Sequence, residues 1–253
     1  MTSQLIYQYP PLISGILLKR YKRFFADIEL TSGEIITAHC PNTGPMTDVC
    51  LPGSLVKVSK SDNPKRKLAY TWEMIKLDRT WVGVNTNLPN RVVKLALEKQ
   101  FFPDLAGSYT QITPEVVYGK NKKSRIDFFL SGGQKNIYLE VKNVTWAQGE
   151  IALFPDTVTT RGQKHLQELS ELVPEFRSVM LYFINRSDCI SFAPGETADP
   201  VYGKLLREAI ARGVEVLPLR FEVTPEAIFY LGKADLLLQE PDFQESKLNN
   251  STN

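Results

Sequence analysis

The sequence predicts two unlike architectures in tandem: a small all-β barrel over residues 1–82 and a mixed α/β domain over 83–238, with a polar tail at 239–253. Three observations predict this. Up to about residue 82, short apolar runs alternate with clusters of turn formers, the pattern of a barrel or sandwich. Near Asn85 the character changes to helix-spaced segments interleaved with strand-like runs. SVMLYFI, Ser178 to Ile184, is a continuous apolar run of the kind buried on both faces of a mixed or parallel sheet.

In the first part, GILLKRYKRFFADIEL through Leu30 reads as one long strand or a bent pair. Thr31-Ser32-Gly33 makes a turn, and Glu34 to Cys40 is a second strand. The loop PNTGPMTD follows, then a strand in Leu51 to Ser59, the basic turn KSDNPKRK and the strand LAYTWEMIKL. A five-stranded barrel of the OB type accounts for these strands most economically.

In the second part, Asn87-Leu88-Pro89-Asn90 opens a helix that runs to about Phe102. Three strands follow: Ile112 to Tyr118, Arg125 to Leu130 and Ile137 to Lys142. A loop through Phe154-Pro155-Asp156 leads to a helix over about Thr159 to Val173, then to the apolar strand. Asp199 caps a helix with Pro200 in its first turn, and Gly213 ends it. VEVLPLRFEV is the last strand, which gives the order αβββαβαβ.

Composition is globular, with 43% hydrophobic and 23% charged residues. No stretch approaches a membrane span, and MTSQLIYQYPP lacks a signal-peptide pattern. Three cysteines without a CxxC fit a reducing, cytoplasmic setting, and the spacing of His39, Cys40 and Cys50 matches no zinc ligand set. The net charge of +2 conceals an asymmetry: residues 1–82 carry 11 Lys/Arg against 7 Asp/Glu, and the remainder 19 against 21. No GxGxxG, GxxxxGK[ST] or GxSxG is present, which excludes the chemistries those motifs carry.

The stretch RIDFFLSGGQKNIYLEVK reads as a hairpin around Gly132-Gly133. With Leu130 opposite Ile137, the register sets Asp127 opposite Glu140 and Arg125 opposite Lys142. Facing like charges destabilise a sheet, and a divalent cation between the carboxylates would remove the repulsion. Lys142 shares a strand face with Glu140. Asp127, Glu140 and Lys142 are therefore the candidate catalytic residues of a phosphodiester nuclease. Asp127 and Glu140 are candidate ligands for Mg²⁺ or Mn²⁺, with Glu115 or Glu98 as an additional one. The ordinary alternative is two diagonal ion pairs, Asp127 with Lys142 and Arg125 with Glu140, on a solvated face.

Two basic clusters lie in the barrel: Lys19, Arg20, Lys22 and Arg23 among Tyr21, Phe24 and Phe25, and Lys57, Lys60, Lys65, Arg66 and Lys67. Cations meet phosphates and aromatic faces stack on bases, so the mixture suits nucleic acid, although a solvated strand face has the same composition. Arg161, Gln163, Lys164 and His165 crowd the first turns of the second helix, where positive charge is unfavourable unless an anion sits there. His165 by itself reads as a structural hydrogen-bonding residue.

RYKRFFAD, HCPNTGPM, SDNPKRK, YTWE, VNTNLPNR, SRIDFFL, YLEVKNVT and FPDTVTTRGQKHLQEL together resemble the sugar fermentation stimulation protein A family, from about Pro10 to Glu222. The resemblance implies a bacterial or archaeal cytoplasmic protein that binds DNA, with an OB-type barrel and a domain similar to the PD-(D/E)xK nucleases. In that nuclease pattern the acid and the E-x-K fall on Asp127, Glu140 and Lys142, and the basic or glutamine-bearing helix falls on Arg161, Gln163 and Lys164. Where the family often has a glutamate before an alanine in the first helix, this chain has Leu95 before Ala96. Three functions stay open at this point: a Mg²⁺-dependent DNA nuclease, a non-catalytic DNA-binding regulator of sugar metabolism on a nuclease-like frame, and an RNA-binding factor. DNA as partner is common to the first two.

Overall fold

The computed structural model describes residues 3–78, 80–119 and 124–239. Strands β2 (Ile13–Tyr21), β3 (Phe25–Leu30), β4 (Ile35–His39), β5 (Leu55–Lys60) and β6 (Tyr70–Leu77) follow β1 (Gln4–Gln8) and pair in the order β4-β3-β2-β5-β6. A parallel contact of β4 with β6, Ala38↔Tyr70 and His39↔Thr71, closes them into the five-stranded barrel the sequence predicts. Alternation points Ala26, Ile28 and Leu30 inward onto Leu17, Val56, Val58 and Trp72. Residues 16–30 form two strands, joined by a tight turn with Lys22 and Arg23 at φ 48° and 62°. β7 (Thr80–Gly83) folds back on β6 and leads out of the barrel.

The second domain follows as α1 (Leu88–Glu98), β8 (Gln111–Tyr118), β9 (Ser124–Ser131), β10 (Ile137–Val144), β11 (Ala147–Gln148), β12 (Ile151–Phe154), α2 (Thr160–Leu172), β13 (Arg177–Ile184), β14 (Ser191–Pro194), α3 (Pro200–Ala211), β15 (Glu215–Val223), β16 (Ala227–Lys233) and β17 (Asp235–Leu236). Among the described residues a seven-stranded sheet runs β1-β16-β15-β13-β10-β9-β8, with β10, β13 and β15 parallel to one another. β13 is buried from Ser178 on because both sheet faces are covered. α1 lays Val92, Val93, Ala96 and Leu97 over Leu139, Leu181 and Leu219 on one face. On the other, Leu166 and Leu169 of α2 and Leu206 of α3 pack with Met180 and Tyr182.

Three differences from the expected order have physical causes. Residues 4–8 do not belong to the barrel: β1 pairs antiparallel with β16 and forms the edge of the large sheet, a long-range pairing that local pattern cannot reveal. VEVLPLRFEV is not the last strand, because β16 returns against it. Short strands β11, β12, β14 and β17 make a small second sheet under the helices. The expected polar tail lies outside the described residues from 240 on.

The two domains meet at a hydrogen-bonded joint. Gly83 N–H donates to the Asn185 carbonyl at 3.0 Å. The Asn185 side-chain amide donates to the Gly83 carbonyl and to Asn143 Oδ1, each at 3.0 Å. A Cβ at Gly83 would lie 2.2 Å from Asn185 Oδ1, so only glycine admits this approach. Thr86 Oγ1 ties the linker to the Pro41 carbonyl at 3.0 Å.

Candidate metal centre

The β9–β10 hairpin has the predicted register, with Ile137↔Leu130, Tyr138↔Phe129 and Leu139↔Phe128. At the next position a side chain takes over from the ladder: Asp127 Oδ2 accepts from the Val141 N–H at 2.8 Å. Its other oxygen accepts from Asn90 Nδ2 in the first turns of α1, at 2.7 Å. Burial, and then the charge of Glu140, push the Asp127 carboxyl up to about 6; the Val141 bond, Lys142 and Asn90 offset only part of this.

Glu140, 3% exposed, lies on the α2 side of β10. Burial alone would raise its carboxyl, yet Lys142 and His165 outweigh burial and hold it below the usual range. Lys142 Nζ donates to Glu140 Oε1 at 2.7 Å, and His165 Nδ1 makes a very close contact with the same oxygen. His165 Nδ1 also lies 3.2 Å from Lys142 Nζ, and its Nε2 lies 3.4 Å from Arg161 Nε; the carboxylate oxygen can only accept, so Nδ1 is the donor in the His165–Glu140 contact. Both cationic-side partners thus converge on Oε1. Glu140 Oε2 is buried without a partner. A buried, unpaired carboxylate oxygen beside a second carboxylate is unfavourable by itself and is the environment a hard cation satisfies. Asp127 and Glu140 therefore fit a divalent ion. Among the described residues no trio of His, Cys, Asp and Glu is arranged to hold a metal, so water or main-chain oxygens would complete its shell.

The other candidates scatter. Glu115 does not join the carboxylate pair: within an unbroken β8–β9 register its backbone takes φ 57°, and its exposed side chain pairs with Arg125 at 3.6 Å. Glu98 pairs with Lys94 on the surface of α1. Leu95 packs against the core. Arg161 is exposed in the first turn of α2 and joins the site through His165. Lys164 turns to Ser124 and Glu168, at 2.8 and 3.4 Å. Gln163 donates to both oxygens of Asp199, the α3 cap, and is a helix-to-helix tie where an open DNA-facing side chain is expected.

In the barrel, Arg20 is a strut. Its guanidinium donates to the carbonyls of Asn42 and Gly44 at 2.8 Å and of Arg23 at 3.1 Å, pinning the 41–50 loop to β2. Lys19 is largely exposed and pairs with Asp27 at 3.3 Å. Lys22, Arg23, Lys65, Arg66 and Lys67 are exposed, Arg66 also bonding Thr71 Oγ1 at 2.9 Å. Sequence reading missed Asn90, which carries no charge to announce it, and set His165 aside. The available signal for His165 was its place with Gly162, Leu166 and Leu169 on the buried face of α2.

Residues 18–84 match the SfsA N-terminal OB domain, and residues 87–227 match the sugar fermentation stimulation protein RE domain. The chain is 67% identical over 239 residues to a sugar fermentation stimulation protein homolog of Rippkaea orientalis (strain PCC 8801 / RF-1), covering 94% of this chain and 99% of that protein. This chain belongs to the sugar fermentation stimulation protein family. The homolog from Nostoc sp. (strain PCC 7120 / SAG 25.82 / UTEX 2576) is 68% identical over 238 residues, with 92% and 98% covered. A solved structure of Pyrococcus furiosus SfsA in complex with Ca²⁺ superposes with a TM-score of 0.84 at 26% identity, covering 92% of this chain and 99% of that one. The family's OB domain and its restriction-endonuclease-like RE domain meet between 84 and 87, next to the Gly83–Asn185 joint. No helix among the described residues is long and apolar enough to cross a membrane.

Proposed function

We propose that this protein binds DNA and hydrolyses its phosphodiester bonds with a divalent metal, Mg²⁺ or Mn²⁺, held by Asp127 and Glu140. The observation that carries this is the unpartnered, buried Glu140 Oε2 beside Asp127, with Lys142 on the same carboxylate. The RE-domain match and the Ca²⁺ complex of the Pyrococcus furiosus relative support the same reading. A cation there would polarise a phosphate oxygen and make a coordinated water a nucleophile at neutral pH. Asn90 orients Asp127, and His165 holds Glu140 so that Oε1 is occupied and Oε2 free. Lys142 sets its ammonium where charge develops on the phosphoryl oxygens. Arg161, at the N-terminal end of α2, offers a donor to a neighbouring phosphate. The exposed cations at Lys19, Lys22, Arg23, Lys65, Arg66 and Lys67 supply phosphate contacts along the barrel.

The test is incubation of labelled single- and double-stranded DNA with Mg²⁺, Mn²⁺ or chelator. Cleavage by the parent, its loss with chelator, and a drop of at least about a hundredfold in Glu140→Gln and Lys142→Ala are expected. A second reading, a DNA-binding regulator on a nuclease-like frame, is favoured by the lack of a third acidic ligand among the described residues. Salt-sensitive DNA binding without cleavage under every metal would establish it in place of the first.

A further inference from the structure

Four of the stretches that carry the family resemblance, HCPNTGPM, VNTNLPNR, YLEVKNVT and FPDTVTTRGQKHLQEL, lie far apart in sequence, yet each contributes to one cavity. The cavity, about 140 Å³, lies in the seam between the barrel and the RE domain. Asn42 comes from the barrel loop, Thr86 from the linker, Asn143 from β10, and Trp146, Phe154 and Asp156 from the segment that leads to α2. Asn143 immediately follows Lys142 on the strand that carries Glu140, and Asp156 precedes the first turn of α2, where Arg161 stands. Thr86 lies just before α1, whose Asn90 holds Asp127. The cavity thus shares three elements with the candidate metal centre, with Asn143 on the sheet face opposite that of Glu140 and Lys142.

Its chemistry narrows the ligand. Its lining contains no Lys or Arg and includes the carboxylate of Asp156, which argues against a phosphate. Two aromatic side chains, Trp146 and Phe154, offer faces or edges to a flat ring. Trp146, 6% exposed, has an indole N–H that is buried and unpartnered, while its Cζ3 edge abuts Gly195 on the other side of the ring. This donor is closed to water, so a ligand acceptor reaches it only if the wall shifts as the ligand enters. Asn143 gives its Oδ1 to Asn185 and has its amide N–H groups left to donate. Amide side chains and aromatic walls are the groups that read and stack unpaired bases. Cavities of about 150 Å³ hold one benzene ring, so the space suits a single-ring base.

We propose that this seam cavity receives one unpaired pyrimidine base of a DNA strand whose backbone lies at Asp127 and Glu140. The proposal rests on the DNA-binding reading above and names the part of the substrate read by the protein. It gives the metal site a registration point: a base seated in the seam fixes which phosphate meets the carboxylates.

The test is an abasic scan. Fluorescein-labelled single-stranded oligopyrimidines, each with one position replaced by an abasic nucleotide, are bound to the full-length protein with chelator present and followed by anisotropy. A loss of about tenfold or more at one position fixed relative to the strand's end or to its cleavage site, with little change elsewhere, is expected. Trp146→Phe keeps an aromatic face but removes the N–H donor together with the pyrrole half of the indole, so it should flatten that position-specific loss. A pyrrolo-cytosine placed at the sensitive position should change its emission on binding to the parent. A flat scan with the parent, while DNA still binds and is cleaved with Mg²⁺, overturns the base pocket and leaves the nuclease reading standing. Absence of all DNA binding overturns both. A positional loss without cleavage under any metal supports the pocket and removes the nuclease reading alone.

Discussion

Asp127 and Glu140 are neighbouring carboxylates that the surroundings treat in opposite ways. Glu140 is held ionised by Lys142 and His165, whereas Asp127 is raised to about 6 by burial and by Glu140. A carboxyl raised above its unfolded value of 3.8 binds more protons folded than unfolded between those two pH values, so its ionisation weakens the fold as pH rises. Asp127→Asn removes that term. Without metal, the variant should match the parent near pH 4 and exceed it by on the order of 1–3 kcal/mol above pH 6. Melts at several pH values check this, and an equal loss at every pH would return Asp127 to an ordinary ion pair. Added Mg²⁺ should raise the melting temperature of the parent and leave the variant unmoved. His165 is a positioning residue whose donor orients Glu140. His165→Ala should weaken Ca²⁺ binding about 10–100-fold by calorimetry. His165→Asn, which keeps a donor near Nδ1, should recover part of that affinity.

At the scale of elements, the hairpin was legible because its turn and its alternation agree, and the observed pairs are the predicted ones. The rest of the site was less so, for identifiable reasons. Glu115 has the right charge and strand, but its backbone takes a left-handed φ of 57° and its exposed side chain pairs with Arg125. Asn90 is uncharged and approaches from a helix whose docking depends on the whole core. Arg20 looked like its basic neighbours, and only the fold shows that its guanidinium braces the 41–50 loop. This separates two surfaces that sequence alone merged. Arg20→Ala should destabilise the protein by about 1–3 kcal/mol through the lost carbonyl bonds. Lys22→Ala with Arg23→Ala should leave the melting temperature nearly unchanged. That double variant should lower the slope of log affinity for DNA against log salt by roughly one to two. An unaltered slope in the folded double variant would remove the β2–β3 turn from the DNA surface. Asp199 takes bonds from Tyr202 N–H, Thr159 N–H and the Gln163 amide, so one buried side chain starts α3 and anchors the entrance of α2. Asp199→Ala should therefore lower the melting temperature and, on the proposed nuclease reading, slow cleavage in the labelled-DNA assay, although Asp199 bonds neither Asp127 nor Glu140.

Across the whole molecule, an OB-type barrel followed by a mixed α/β domain was readable from the change of hydrophobic pattern, and the barrel closed as its strand count suggested. The exchange between the halves was not readable, since β1 and its partner β16 stand at opposite ends of the described chain. Together with the Gly83–Asn185 joint, that exchange ties the barrel to the sheet at two places. One calorimetric transition, with equal van't Hoff and calorimetric enthalpies, is expected for the intact chain. A fragment starting at residue 83 would bare the edge of β16 and should aggregate where the full chain stays monodisperse. The strand exchange also sets an order on biogenesis. β1 leaves the ribosome first and its partner emerges near the end of the described chain, so at roughly 5–20 residues per second the opening segment waits on the order of ten seconds or more. The barrel can close during that wait, but the large sheet acquires its last edge only once synthesis has passed β16. Ribosome-stalled chains ending before residue 227 should accordingly be protease-resistant in the barrel and cleavable at residues 4–8.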